Sequence, residues 1–380
     1  MQPTQPSHTG RRWDGRGASV SWEWPIEWES ANPNRVRPAV QCWETADLVH
    51  AACVCHGRIV AWEGTTLTLL SFANGAPSAE SRVPLPLGAR PASGVPHTGR
   101  LAIVSDALAL AAERGFLLAP TRPDGEARLL ATGEPLAQVG TPGWWCGWLS
   151  EPGGPILLHA ANGERWHAME LRRADAPAGS RPAPRAVMAG RDGQVYWPGI
   201  DGGVWRLTCE TGVVDRVGTA GDGTVLPWAE AAGPRWAWEE HGGLHLKLST
   251  SAVAAAGSGP LRGVHVSRKT VAVVGDRVWV FDAGTGERLH DAVRPLGRWL
   301  DAVLAPSADG QPRIVSLTRE ETSANIVALH PSLGTQDHLW HAPVEARYLL
   351  CAGEHLCVVH DHGIVRLGRE ITPGAGAPTG

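Results

Sequence analysis

Val204-Trp205-Arg206-Leu207-Thr208-Cys209-Glu210-Thr211-Gly212 aligns without a gap on Val278-Trp279-Val280-Phe281-Asp282-Ala283-Gly284-Thr285-Gly286, sharing Val, Trp, Thr and Gly at four of nine places. The offset is 74 residues, or two units of 37. Each stretch has the length and β-branched or aromatic content of a short strand, then closes on Thr-Gly, which suits a tight turn. Between them Leu244 to Ser249 repeats the apolar alternation, and Ile326 to Gly334 repeats it downstream. Weaker copies begin near Leu67, Leu117, Trp166 and Ile364, which makes eight units at intervals of 34 to 50 residues. A period of about forty residues with four short strands per unit is the mark of propeller blades.

The expected fold is therefore all-β: a single β-propeller of seven or eight four-stranded blades, eight being favoured by the repeat count. In such a blade the third strand is buried on alternate sides between its neighbours, and a Trp at its centre fills the wedge that widens away from the axis. No segment sustains the spacing of a long helix; the best helical candidate, Ala107 to Arg114, fits a buried strand nearly as well. Residues 1–17 and 371–380 are polar or rich in Gly and Pro and read as disordered tails, leaving 18–370 for the propeller. The last unit, Arg347 to Glu370, supplies only three strands, so Ala18 to Trp24 (ASVSWEW) is expected to close the ring as the missing fourth. Closure would remove an exposed sheet edge.

Of the 380 residues, 43 % are apolar and 19 % charged, enough to bury a large core. A net charge of -4 offers no basic field for phosphate backbones or anionic lipid, so neither nucleic acid nor membrane is expected as a partner. No apolar run follows the two arginines near the start, and none of eighteen residues occurs elsewhere. Seven scattered cysteines, an odd number without an export signal, point to reduced thiols and a cytoplasmic location. Two lysines against many arginines and alanines suggest a GC-rich bacterial genome.

Asp192-Gly193-Gln194-Val195-Tyr196, the strand Val278-Trp279-Val280-Phe281-Asp282-Ala283 and the closing Thr285-Gly286 resemble the quinoprotein-like (PQQ-repeat) propeller motif and shade into the WD-repeat type. The resemblance is good over 186–293 and implies a fold, not a cofactor. Quinone dehydrogenases of that family are typically exported and longer than this chain. A second resemblance, carried by the degenerate, signal-less propeller as a whole, is to the propeller members of bacterial systems that pair a MoxR-type AAA+ ATPase with a von Willebrand A protein. It implies those two proteins as partners.

No phosphate loop, His-Glu-x-x-His helix, Gly-x-Ser-x-Gly elbow or acidic calcium loop is present. Histidines concentrate near the C-terminus at His330, His338, His341, His355, His360 and His362. His360 and His362 stand two apart at a strand end, a spacing that lets two imidazoles face one metal; His-Asp-His-Gly equally reads as a polar turn. Cys53 and Cys55 sit on a small apolar strand and read as packing. Eighteen tryptophans stand against three phenylalanines and two tyrosines. Trp62, Trp205, Trp236, Trp238 and Trp279 read as wedge-filling core. Trp28, together with Trp144, Trp145 and Trp148, falls at less regular places and is the candidate partner-binding set, with core packing as the alternative.

These observations point to a non-catalytic protein-binding scaffold in a bacterial multi-protein system, with no cofactor expected. The alternative is an enzyme (a lyase, lactonase or hydrolase) whose carboxylates and histidines converge from several blades on the central mouth.

Overall fold

The computed structural model describes residues 18–20 and 39–368, apart from short stretches outside the strands, of which 172–186 is the longest. The strands form seven four-stranded sheets and one five-stranded sheet. Taken in chain order these are blades 1 to 8: residues 49–84, 101–132, 134–171, 188–219, 225–258, 263–293, 298–342, and 348–368 with 39–44. Within each blade successive strands pair antiparallel. The first strand lies innermost, since the first strands of successive blades touch.

Eight apolar clusters bind each blade to the next and close the circle. Trp62 meets Leu108 and Leu110 between blades 1 and 2, Phe116 meets Trp145 between 2 and 3, and Trp148 meets Trp197 and Trp205 between 3 and 4. Val204 meets Trp236, Leu246 meets Trp279, Val280 meets Ile314 and Leu317 meets Leu356. Ile59 meets Val359 at the last boundary, between blades 8 and 1. The chain is an eight-bladed β-propeller. Strand alternation is what permits the ring: odd and even residues of one strand face different neighbouring blades, so each sheet contributes to two clusters.

The Thr-Gly turns stand between third and fourth strands. Asp282 Oδ1 accepts from the Gly284 and Thr285 amides at 2.9 and 2.7 Å and from the Thr285 hydroxyl at 3.1 Å. These donors hold the Asp282 carboxyl below its ordinary range. Gly286 and Gly212 then turn the chain at φ 76° and 71°, where a side chain is strained. The wedge-filling tryptophans are buried: Trp62, Trp205, Trp236, Trp238 and Trp279 are at most 8 % exposed.

Two expectations need correction. Ala18–Val20 does not close the ring; it pairs parallel with Gly263–Val266 of blade 6 and also lies against the first strand of blade 5. The closing strand is Ala39–Glu44, paired antiparallel from Ala39 opposite Gly368 to Glu44 opposite Gly363. Its weaker alternation conceals it in the sequence, where Pro38 and Trp43 are its only clear marks. The repeat start at Trp166 falls on the fourth strand of blade 3, whereas the third is Ile156–Ala161. Blade 3 carries its bulk on the second strand, Trp144–Ser150, where Gly147 leaves room for the Trp145 ring: a Cβ there would stand 2.3 Å from Trp145 Cζ2. Ala107–Ala112, the helical candidate, is a strand. The proposed tails, 1–17 and 371–380, lie outside the described residues.

Candidate functional site: the seam between the last and first blades

Blade 8 reaches blade 1 through the link 45–48, from the closing strand Ala39–Glu44 to Val49, and through side chains that cross the boundary. Tyr348, on the first strand of blade 8, accepts from the Ala52 amide at 2.6 Å and donates to the Ala52 carbonyl at 3.1 Å. Arg347 donates from Nη1 to the Val49 carbonyl at 3.0 Å and pairs through Nη2 with Asp361. The Asp361 carbonyl in turn accepts from the Val49 amide at 2.7 Å, and the His362 carbonyl accepts from the Thr45 amide at 3.0 Å. Asp301 of blade 7 completes the row by accepting from the Leu349 amide at 2.7 Å.

A second guanidinium joins from the link into blade 2. Arg100 donates to the Val95 and His50 carbonyls at 3.1 Å each. Its Nη1 stands 2.9 Å from His97 Nδ1, and Arg347 Nη1 stands 3.0 Å from the same nitrogen. The same nitrogen lies 3.0 Å from the His50 carbonyl, so it stands among two guanidiniums and one carbonyl oxygen. Burial, reinforced by both guanidiniums and opposed by the His50 carbonyl contact, pushes the His97 pKa down to about 4. His50 is likewise lowered, first by burial and then by Arg100 and Arg347. The node is thus two fixed arginines, one paired carboxylate and two neutral imidazoles.

Around this node the links into blades 1 and 8 carry Leu48 and Val344, which are 41 % and 46 % exposed. The other large apolar side chains exposed among the described residues, Leu129, Val213 and Leu289, lie on the outer strands of blades 2, 4 and 6.

His360 and His362 fall in this seam, as neighbours in one turn. The His362 amide faces His360 Nδ1 at 3.4 Å, and Asp361 between them is committed to Arg347. Burial lowers the His360 pKa. Among the described residues no group of three His, Cys, Asp or Glu side chains is placed to hold a metal. The described geometry of the pair is that of a turn anchored through Asp361. The partner-binding expectation for Trp145 and Trp148 meets their full burial, and Trp144 is only 8 % exposed. Trp145 donates to Gln138 Oε1 at 3.0 Å and packs edge-on against Phe116, while Trp148 packs edge-on against Trp197. Their surface is spent between blades. Trp28 lies outside the described residues. Cys53 and Cys55 pack in the cluster between blades 1 and 2, and burial pushes both thiols up, Cys55 to about 11. What the sequence reading missed is Arg100, Arg347, His97 and Tyr348; Arg347 and Tyr348 open the last unit, but nothing marks them as bridging to the first.

Cavities lined by described residues include one of about 270 Å³ beside Ser93, Glu113 and Glu134 and one of about 170 Å³ beside Cys55, His56 and Arg58. Both fall below the roughly 300–1,000 Å³ of small-molecule sites.

No family model and no curated protein matches the chain in sequence. Solved structures do match. Sqt1 of Saccharomyces cerevisiae is 10 % identical with a TM-score of 0.57, over 88 % of this chain and 99 % of that one. BamB of Moraxella catarrhalis is 14 % identical with a TM-score of 0.52, over 86 % and 99 %. The computationally designed Ika8 protein is 11 % identical with a TM-score of 0.51, over 87 % and 99 %. At these identities the likeness is one of fold. No helix among the described residues is long and apolar enough to cross a membrane.

Proposed function

We propose that this propeller is a non-catalytic, cytoplasmic scaffold that holds protein partners in a bacterial multi-protein system, with the seam face as a docking surface. The observation that carries this reading is the exposure of Leu48 and Val344 beside the Arg347–Asp361 node. Exposed apolar side chains on a backbone already fixed by the fold gain contact area on binding at little cost in conformational entropy. The partners we propose are a MoxR-type AAA+ ATPase and a von Willebrand A protein, following the resemblance of the whole chain.

The test is co-purification of the full-length protein with candidate partners of those two classes from its host, with metal analysis of the same sample. Leu48→Asp with Val344→Asp is expected to lose a stoichiometric partner that Leu129→Asp with Leu289→Asp retains. Equal retention by both variants would remove the seam face from the proposal. A partner-free monomer carrying a bound divalent metal would overturn the scaffold reading.

A further inference from the structure

Two thiols that play no part in the seam lie against each other at the boundary between blades 3 and 4. Cys146 sits on the second strand of blade 3, opposite Val139 and Ala160. Cys209 follows the third strand of blade 4, at the repeat position where blade 6 has Ala283. That position faces the preceding blade, so a cysteine on each side of one boundary brings two sulfurs together. Their Sγ atoms are 3.4 Å apart, both residues are fully buried, and 63 positions of sequence separate them. The backbone beneath is held, since the Cys209 amide donates to the Gly193 carbonyl at 2.9 Å. Trp144 packs over the turn at Gly193, beside Cys209, and stacks on His167 at 5.7 Å between ring centres.

We infer that Cys146 and Cys209 are a disulfide-forming pair, which an oxidant of the peroxide class joins so as to lock blade 3 to blade 4. The step balances as follows. One sulfur, as thiolate, attacks a peroxide oxygen; the O–O bond breaks, giving a sulfenic acid and, with the proton that sulfur had shed, one water. The second sulfur attacks the first, the S–O bond breaks, the S–S bond forms, and the departing hydroxide takes the second thiol's proton as another water. Two thiols are oxidised and one peroxide is reduced. The second sulfur is already in contact, so no other cysteine is needed, and closing to the 2.03–2.05 Å of a disulfide asks for a shift of little more than an ångström. Burial and the neighbouring thiol raise the Cys146 pKa well above its ordinary range, so the reaction is expected to quicken as pH rises.

The experiment exposes the full-length folded protein to hydrogen peroxide, then unfolds it in excess N-ethylmaleimide for mass spectrometry. The expected product has lost two hydrogens, carries a Cys146–Cys209 cross-linked peptide, and melts at a higher temperature that dithiothreitol restores to the starting value. Cys209→Ala, which installs the residue of blade 6, is expected to fold, to form no cross-link and to show no peroxide-dependent rise; Cys146→Ala serves as the second variant. Recovery of both cysteines fully alkylated while exposed Cys42 is oxidised would overturn the inference. A cross-link that forms only after denaturant is added would overturn it too.

Discussion

Two boundaries of one ring are built from opposite chemistry. Between blades 3 and 4 the chain runs on, and the contact is apolar: Trp148 edge-on to Trp197, Trp205 behind them, and two thiols. Between blades 8 and 1 the partners are 296 to 298 residues apart, and directional bonds supplement the packing: Tyr348 to Ala52, Arg347 to Val49. Apolar packing is indifferent to small sliding, whereas a side chain bonded to a particular amide and carbonyl sets register. Both boundaries are also crossed by the chain, at 172–187 between blades 3 and 4 and at 45–48 between blades 8 and 1, so the contrast lies in the side chains. The gap in the chain lies inside blade 8, where backbone pairing of Ala39–Glu44 with Gly363–Gly368 closes the ring, and the side-chain hydrogen bonds add register at the boundary beside it.

The largest expected effect tests the apolar boundary. Trp148→Ala should lower the unfolding free energy by about 3–5 kcal/mol, read from denaturant midpoints, because a fully buried indole leaves a cavity that surrounding strands cannot fill. A loss under about 1 kcal/mol would mean that blade 3 repacks and that the boundary is less fixed than its geometry. Tyr348→Phe tests the seam with almost no change of volume. It leaves the Ala52 amide and carbonyl without the phenol and should cost about 2 kcal/mol. If it costs nothing, the registration argument fails.

The comparison sharpens with pH. The folded-state pKa of His97 is depressed to about 4 from an ordinary 6.5, so protonation favours the unfolded chain. Its contribution to stability is present in full above pH 6.5 and is lost as pH falls toward 4. His50 and His360 of the same seam shift in the same direction. The loss from His97 should reach about 2 kcal/mol, because water still reaches part of the ring and weakens the two guanidinium contributions. Thermal midpoints measured between pH 7.5 and 4.5 should fall, and His97→Gln should flatten the slope; an unchanged slope would take the node out of the pH response. The smallest effect on stability is expected from Leu48→Asp with Val344→Asp, within about 0.5 kcal/mol, since neither side chain is buried. A larger loss would mean that these residues serve the seam rather than a partner.

The repeat was legible because burial on both faces of a third strand demands Val, Leu and Trp at fixed places, and the turn beyond it demands Thr-Gly. Val204–Gly212 and Val278–Gly286 meet both demands, so their alignment alone carries the fold. Blade 3 was read one strand late because Trp166 opens its fourth strand, while any strand that fills the wedge satisfies packing, as Trp62 and Trp236 do from second strands. The same degeneracy hid the role of Trp145 and Trp148: an irregular position in the sequence is not an exposed position in the fold.

By itself the sequence determined an all-β ring of repeated blades, since strand period, turn chemistry and apolar content are local properties that each segment states on its own. Tertiary structure alone decided which strand closes the ring, why His360-Asp361-His362 is an anchoring turn, how Arg100 and Arg347 share His97, and that Cys146 touches Cys209. Each of these joins residues far apart in the chain. Such contacts depend on blade number and ring curvature, which are set by the sum of all eight boundaries and by no one segment.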